Sequence, residues 1–177
     1  MSIKSTLPVL GFVAYSGTGK TTLLVKLIPI LKKKGLRIGV IKCTHHKFEI
    51  DQPGKDSFEL RKSGATQTLL ASDNRWALMT ELEHEYPVSL EHMIARLDSD
   101  LLDIILIEGY KHEKYPKIEL HRPELEKPLL YPNDDSIIAI ASDKELSTPE
   151  SLPVLDINQP EQIADFIIST FFPNLSP

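Results

Sequence analysis

An apolar run from Leu7 to Ala14 leads directly into Tyr15-Ser16-Gly17-Thr18-Gly19-Lys20-Thr21-Thr22, after which Leu23, Leu24, Leu27, Ile28 and Leu31 recur at helical spacing. A strand buried on both faces, a glycine loop and an amphipathic helix in immediate succession mark a phosphate-binding loop (P-loop), and the arrangement points to a parallel α/β sheet. Glycines let the backbone approach phosphate oxygens, amides at the helix start donate to them, a lysine reaches the outer phosphates, and a hydroxyl ligates magnesium. Here Ser16, Gly17, Thr18 and Gly19 form the loop, Lys20 carries the charge, Thr21 supplies the metal hydroxyl and Thr22 reaches the α phosphate. Ala14 stands where the general pattern has its first glycine, so the placement between strand and helix carries the reading. The expected ligand is a purine nucleoside triphosphate with Mg2+.

The rest of the chain alternates in the same way. Arg37 to Cys43 reads as a buried strand, followed by a polar loop to Asp56 with a Pro53-Gly54 turn and a short helix from Ser57 to Lys62. Thr68 to Ser72 and Arg75 to Thr80 read as a hairpin around Asp73-Asn74, and Ser89 to Leu97 as a helix. Leu102 to Ile107 is the most apolar run and ends abruptly in Glu108-Gly109. Ile118 to Leu120 is a short strand, Arg122 to Asp135 a loop, Ile137 to Ala141 a buried strand ending in Ser142-Asp143, and Val154 to Ile157 a weak strand. Pro160 opens a last helix with Ile163, Ala164, Ile167, Ile168 and Phe171 on its inner face. The expected fold class is α/β: a P-loop NTPase-like, mainly parallel sheet flanked by helices, with an added β-hairpin, in a single domain over residues 1–177.

Charge and cysteine content narrow the partners. Twenty basic residues against twenty-five acidic ones give a formal charge of -5, which offers no overall basic field for nucleic acid. Cys43 is the only cysteine, which excludes an intrachain disulfide and any zinc site built on several cysteines. The N-terminal apolar stretch, broken by Pro8 and Gly11, is too short to span a bilayer, so no membrane contact and a cytoplasmic location are expected. Adjacent His45 and His46 on extended chain point to opposite faces and make a poor zinc pair.

Magnesium keeps hard oxygen ligands, so an acid at a strand end should help hold it. Two candidates stand open. Glu108 ends the apolar run and could hold the metal or orient an attacking water; Asp51-Gln52-Pro53-Gly54 has the Asp-x-x-Gly spacing of a γ-phosphate sensor. Lys20, Glu108 and Asp51 are thus the candidate catalytic residues, and Thr21, Asp51 and Glu108 the candidate metal ligands. Arg61 and Lys111 could face an anionic ligand. A small-molecule kinase using ATP or GTP is the competing activity, although the arginines such an enzyme would carry on a lid are scattered here.

Tyr15 to Thr22, Lys42-Cys43-Thr44-His45-His46, Asp51 to Ser57, Arg61 to Ala65, Ile107 to Lys111 and Ala141-Ser142-Asp143, taken together and in order, resemble the molybdopterin-guanine dinucleotide biosynthesis protein B family. The resemblance implies a homodimer that binds GTP with Mg2+ and hydrolyses it weakly. It also implies an adaptor role beside the guanylyltransferase that joins GMP to molybdopterin, with molybdopterin itself as a further ligand. For guanine, Asp143 is the candidate: a carboxylate can accept from both N1-H and the 2-amino group. The Asn-Lys-x-Asp signature is absent, and a helix N-cap is the other use for Asp143.

Overall fold

The computed structural model describes residues 5–44, 48–82, 84 and 88–175; His45 and His46, considered above for zinc, lie outside them. The chain divides into two compact units, one made by Met1–Cys43 with Ser89–Pro177 and the other by Thr44–Val88.

The first unit is built on a parallel sheet of β1 (Val9–Val13), β2 (Ile38–Lys42), β5 (Ile104–Glu108), β6 (Lys117–His121), β7 (Ile137–Ser142) and β8 (Val154–Asp156), in the order β2-β5-β1-β6-β7-β8. With successive side chains on opposite faces and both faces covered, β1 is apolar throughout and β5 is apolar up to Glu108. Leu10, Phe12, Ile104 and Leu106 face one core with Leu23, Leu24, Leu27 and Leu31 of α1 (Lys20–Lys33) and Ile163, Ala164, Ile167 and Ile168 of α4 (Pro160–Phe171). Val9, Ile105 and Ile107 face a second core with Leu90 of α3 (Leu90–Ile94) and Tyr115. Phe171, expected on the inner face of α4, is only partly buried.

Strand order decides where chemistry can occur. From β1 the chain moves to one side for β2 and β5 and to the other for β6, β7 and β8. Open α/β sheets bind ligands outside the carboxyl ends of the strands at such a reversal, and here that position is the P-loop. Phe12 is in register with Glu108 across β1 and β5, and Lys42 with Glu108 across β2 and β5.

Three elements differ from expectation, the first being β2, expected to be buried, which lies at the sheet edge with Val40 45% exposed. The helix expected to reach Leu97 is regular only to Ile94, because its last turn tightens: Arg96 N donates to Met93 O and Leu97 N to Ile94 O. The strand expected at Ile118 to Leu120 runs from Lys117 to His121 and is buried at every position. Its alternating polar residues are covered by the loop that follows. Lys117 Nζ donates to Asp134 Oδ2 at 2.7 Å, while Glu119 accepts from Leu130 N at 2.7 Å and Tyr131 N at 2.9 Å. Burial pushes the Glu119 carboxyl above its ordinary value, and the two amides oppose the shift.

The second unit holds α2 (Asp56–Lys62) and the antiparallel pair β3 (Gln67–Ser72) and β4 (Arg75–Thr80), joined at Asp73-Asn74 as expected. One hairpin face, with Leu70, Ala77 and Met79, lines a cleft together with Ile50, Asp51 and Lys55. The opposite face carries Leu69 paired with Leu78 and Ala71 with Trp76, and Leu69, Trp76 and Leu78 are all exposed.

Candidate functional site

The loop from Ala14 to Gly19 is shaped by its own backbone needs. Gly17 (φ 83°) and Gly19 (φ 102°) occupy the left-handed region that residues with a Cβ enter at a cost. Thr18 is buried, and its hydroxyl donates to Tyr15 O at 2.9 Å, bracing the turn from within. Gly19 ends the loop as the N-cap of α1; no side chain caps that helix and no acid occupies its first turn. The first intrahelical bond is Leu23 N to Gly19 O, so the preceding amides and the positive end of the helix dipole are free for an anion. Lys20 folds across the loop, its Nζ donating to Ala14 O at 3.2 Å and Tyr15 O at 3.3 Å.

The next residue meets the acid read from the end of β5. Thr21 Oγ1 donates to Glu108 at 2.9 Å and 3.1 Å, and Lys42 Nζ lies 3.4 Å from both Thr21 Oγ1 and Glu108 Oε1. A hydroxyl and a carboxylate in contact are the hard oxygen donors that magnesium takes when phosphate oxygens and waters complete its shell, so these residues fit the metal. Among the described residues no group of three His, Cys, Asp or Glu side chains could hold a metal without such help. Burial lowers the Lys20 ammonium from its ordinary value; Glu108 opposes the shift, and Lys42 and Lys111 add to it. Three lysines crowded around one loop are relieved by a polyanion.

Behind Glu108 the chain turns through Gly109 (φ 114°) and Tyr110 (φ 50°), the latter uncommon for a residue with a side chain. A Cβ on Gly109 would lie 2.8 Å from Cys43 Cβ, so only glycine lets the ends of β2 and β5 approach. Tyr115, buried at 4% exposure, donates its hydroxyl to Gly109 O at 2.9 Å. Its ring fills the space beside Gly11, where any Cβ would collide with it. Burial raises the Tyr115 phenol well above its ordinary value, so it remains a donor at every physiological pH. Tyr115 was not legible as a site residue, since only the fold brings it beneath the turn that carries Glu108.

Two strands along from the P-loop strand, Asp143 follows β7. It is joined to the phosphate loop by Arg122, whose Nε donates to Thr18 O at 3.1 Å and whose Nη1 donates to Asp143 Oδ2 at 2.5 Å. The other oxygen, Oδ1, is buried without a hydrogen-bond partner. A buried acceptor left unpaired costs about 1–3 kcal/mol, which a donor on a ligand would recover. The residues around Asp143 and β8 line a cleft of ≈ 410 Å³, within the ~300–1,000 Å³ typical of small-molecule sites.

Asp51 and Arg61 lie in the second unit, where they bind each other. Arg61 Nη2 donates to Asp51 Oδ1 at 2.7 Å and to Glu49 at 2.5 Å, and Nη1 donates to Glu81 at 2.9 Å. The guanidinium read as facing an anionic ligand is thus engaged by three carboxylates of its own unit. Hydrogen bonds from Arg61 hold the Asp51 carboxyl below its ordinary value of 3.8. The stabilisation this supplies is whole above pH 3.8 and is lost as pH falls through the depressed folded value. The protection factors of the β3 and β4 amides should therefore fall below pH 3.8 more steeply in wild type than in Asp51→Asn. Equal pH dependence in the two proteins would remove Asp51 as the cause.

No described helix is long and apolar enough to cross a membrane. The family described as Molybdopterin guanine dinucleotide synthesis protein B matches residues 9–143. The chain is 51% identical over 174 residues to the molybdopterin-guanine dinucleotide biosynthesis adapter protein of Escherichia coli (strain K12), covering 95% of each. With the adapter protein of the same description from Haemophilus influenzae it shares 48% identity over 162 residues, 91% of this chain and 88% of the other. Among solved structures, molybdopterin-guanine biosynthesis protein B (mobB) superposes with a TM-score of 0.70 at 27% identity, covering 92% of this chain and 99% of that one. Bacillus subtilis MobB gives a TM-score of 0.70 at 25% identity, over 93% and 98% of the two chains. With the P-loop, the acid at the end of β5 and the parallel sheet in place, the chain belongs to the molybdopterin guanine dinucleotide synthesis protein B family.

Proposed function

We propose that this chain binds GTP with magnesium at its P-loop, hydrolyses it slowly, and acts as an adaptor in molybdopterin-guanine dinucleotide biosynthesis, assisting the guanylyltransferase of that route. The observation that carries the nucleotide reading is the Thr21–Glu108 contact at the uncapped start of α1, beside Lys20 folded over the loop carbonyls. The names borne by the relatives carry the pathway. Lys20, the loop amides and Thr22 would bind the phosphates. Thr21 and Glu108 would hold Mg2+, which when bound supplies charge to the β and γ phosphate oxygens. Asp51, in the second unit, is held by Arg61. Asp143 would accept from the guanine edge.

Slow turnover fits the arginines. Arg37 is held by Asp103, Arg61 by its three carboxylates and Arg122 by Asp143 and Thr18, so none of these three is free to act as a finger on the γ phosphate. The same commitment speaks against a small-molecule kinase with an arginine lid. Product analysis of Mg2+-GTP incubated with the purified protein tests the point. Phosphate and GDP at a low rate are expected; rapid turnover, or transfer to molybdopterin as acceptor, would sink the adaptor reading.

A cytoplasmic homodimer completes the proposal, with the hairpin face of Leu69, Trp76 and Leu78 as the subunit contact. Three large apolar side chains exposed side by side on one face are the kind of patch that protein interfaces cover. Trp76→Glu combined with Leu69→Glu should turn a dimer into a monomer in sedimentation velocity. A double variant that sediments as wild type would place the contact elsewhere.

A further inference from the structure

The carboxyl ends of β1, β6 and β7, adjacent in the sheet, carry three linked residues: Thr18 in the phosphate loop, Arg122 immediately after β6 and Asp143 immediately after β7. Arg122 is the middle member, with one guanidinium edge on the loop carbonyl at 3.1 Å and the other on Asp143 Oδ2 at 2.5 Å. Because the guanidinium is planar and rigid, its bond to the loop carbonyl fixes where it holds Oδ2 of Asp143. Asp143 is left with one oxygen engaged and Oδ1 buried but unpaired, and the residue lines a cleft with Leu146 and Leu155.

We propose that Arg122 is a positioning residue for base selection, holding the Asp143 carboxylate so that Oδ1 is offered to a ring N-H and exocyclic amine, and bracing that carboxylate against the phosphate loop. The inference rests on the nucleotide reading above and deepens it. A purine with a donor edge, as in guanine, satisfies the orphaned oxygen; adenine, whose N1 is an acceptor, leaves it unpaired and faces it with a lone pair. The Arg122 backbone is itself anchored, since Glu119 in β6 grips Leu130 and Tyr131 of the loop that Arg122 begins. A second ion pair between the same two loops, Lys144 with Glu124 at 3.2 Å, is exposed on both sides and contributes little.

The test is calorimetric titration of the full chain with GTP, ITP, ATP and inorganic tripolyphosphate, each with Mg2+. The proteins compared are wild type, Arg122→Ala, Arg122→Lys, Asp143→Ala and the double alanine variant, with circular dichroism to establish that each is folded. Arg122→Ala should lower the GTP-over-ATP ratio by about tenfold or more while tripolyphosphate affinity changes by less than about threefold. Lysine, which can reach one partner but not both, should restore only part of the ratio. The double variant should discriminate no worse than Asp143→Ala, because the two residues act on one property. A GTP preference that survives Arg122→Ala but falls in Asp143→Ala overturns the inference alone, as do additive losses in the double variant. A wild type with no GTP preference overturns the base-recognition reading and the inference with it, and a wild type that binds no nucleotide overturns both along with the P-loop assignment.

Discussion

Lys20→Ala should weaken Mg2+-GTP binding by about a hundredfold or more while leaving the fold intact. The side chain lies over the loop, where its ammonium donates to Ala14 O and Tyr15 O and forms no part of either apolar core. Removing it therefore leaves no cavity in the sheet. What is lost is at least two charge-assisted hydrogen bonds to phosphate, each worth about 1.5–3 kcal/mol, and a total near 3 kcal/mol corresponds to the stated factor. Lys20→Arg keeps the charge but not the compact head that fits among the loop amides, and should recover only part of the affinity. Fluorescence titration with a labelled GTP analogue measures both. A loss below about threefold for the alanine variant would mean that phosphate is held elsewhere.

Asp134→Ala should lower stability by about 3 kcal/mol, a large share of what a domain of this size has to lose. Lys117 is 1% exposed in β6, and its ammonium is held by Asp134 at 2.7 Å and Ser136 at 2.9 Å, with the Tyr115 ring 5.0 Å away. Burial acts to raise the Asp134 carboxyl, but the bonds from Lys117 and Ser136 outweigh it and hold the group below its ordinary value. Without Asp134 a buried charge keeps one neutral partner. Urea denaturation gives the difference directly. Lys117→Met with Asp134→Leu, which removes both charges at similar volume, should recover most of the loss. A single variant that loses less than about 1 kcal/mol would show that solvent reaches Lys117 more freely than its burial implies.

Much of the frame was legible because it rests on short-range patterns. The apolar runs at β1, β5 and β7 have no polar alternation, as two covered faces require, and the leucines of α1 and α4 fall on one side of a 3.6-residue period. Thr21 and Glu108 could be anticipated for the same reason: one follows a glycine loop and the other ends the most apolar run in the chain. Residues whose roles depend on distant partners were not legible. Arg122 is 104 positions from Thr18 and 21 from Asp143, and no local spacing joins them. Lys117, Glu119 and His121 alternate with apolar neighbours and look like the solvent face of a strand, yet a loop eleven to seventeen residues further on supplies partners to Lys117 and Glu119. Arg61 shows the converse. Its charge invited an anionic ligand, but charge in a sequence does not disclose which side chains already neutralise it, here Asp51, Glu49 and Glu81.

Calorimetric titration of the unmodified full chain with GTP and with ATP, in the presence and absence of Mg2+, bears most directly on the account as a whole. One saturable GTP site per chain is predicted, strengthened by magnesium and preferred over ATP by about tenfold or more, as expected if the N1-H of guanine pairs with the buried oxygen of Asp143 where adenine N1 presents a lone pair. Binding of neither nucleotide, or ATP bound as tightly as GTP, would contradict it.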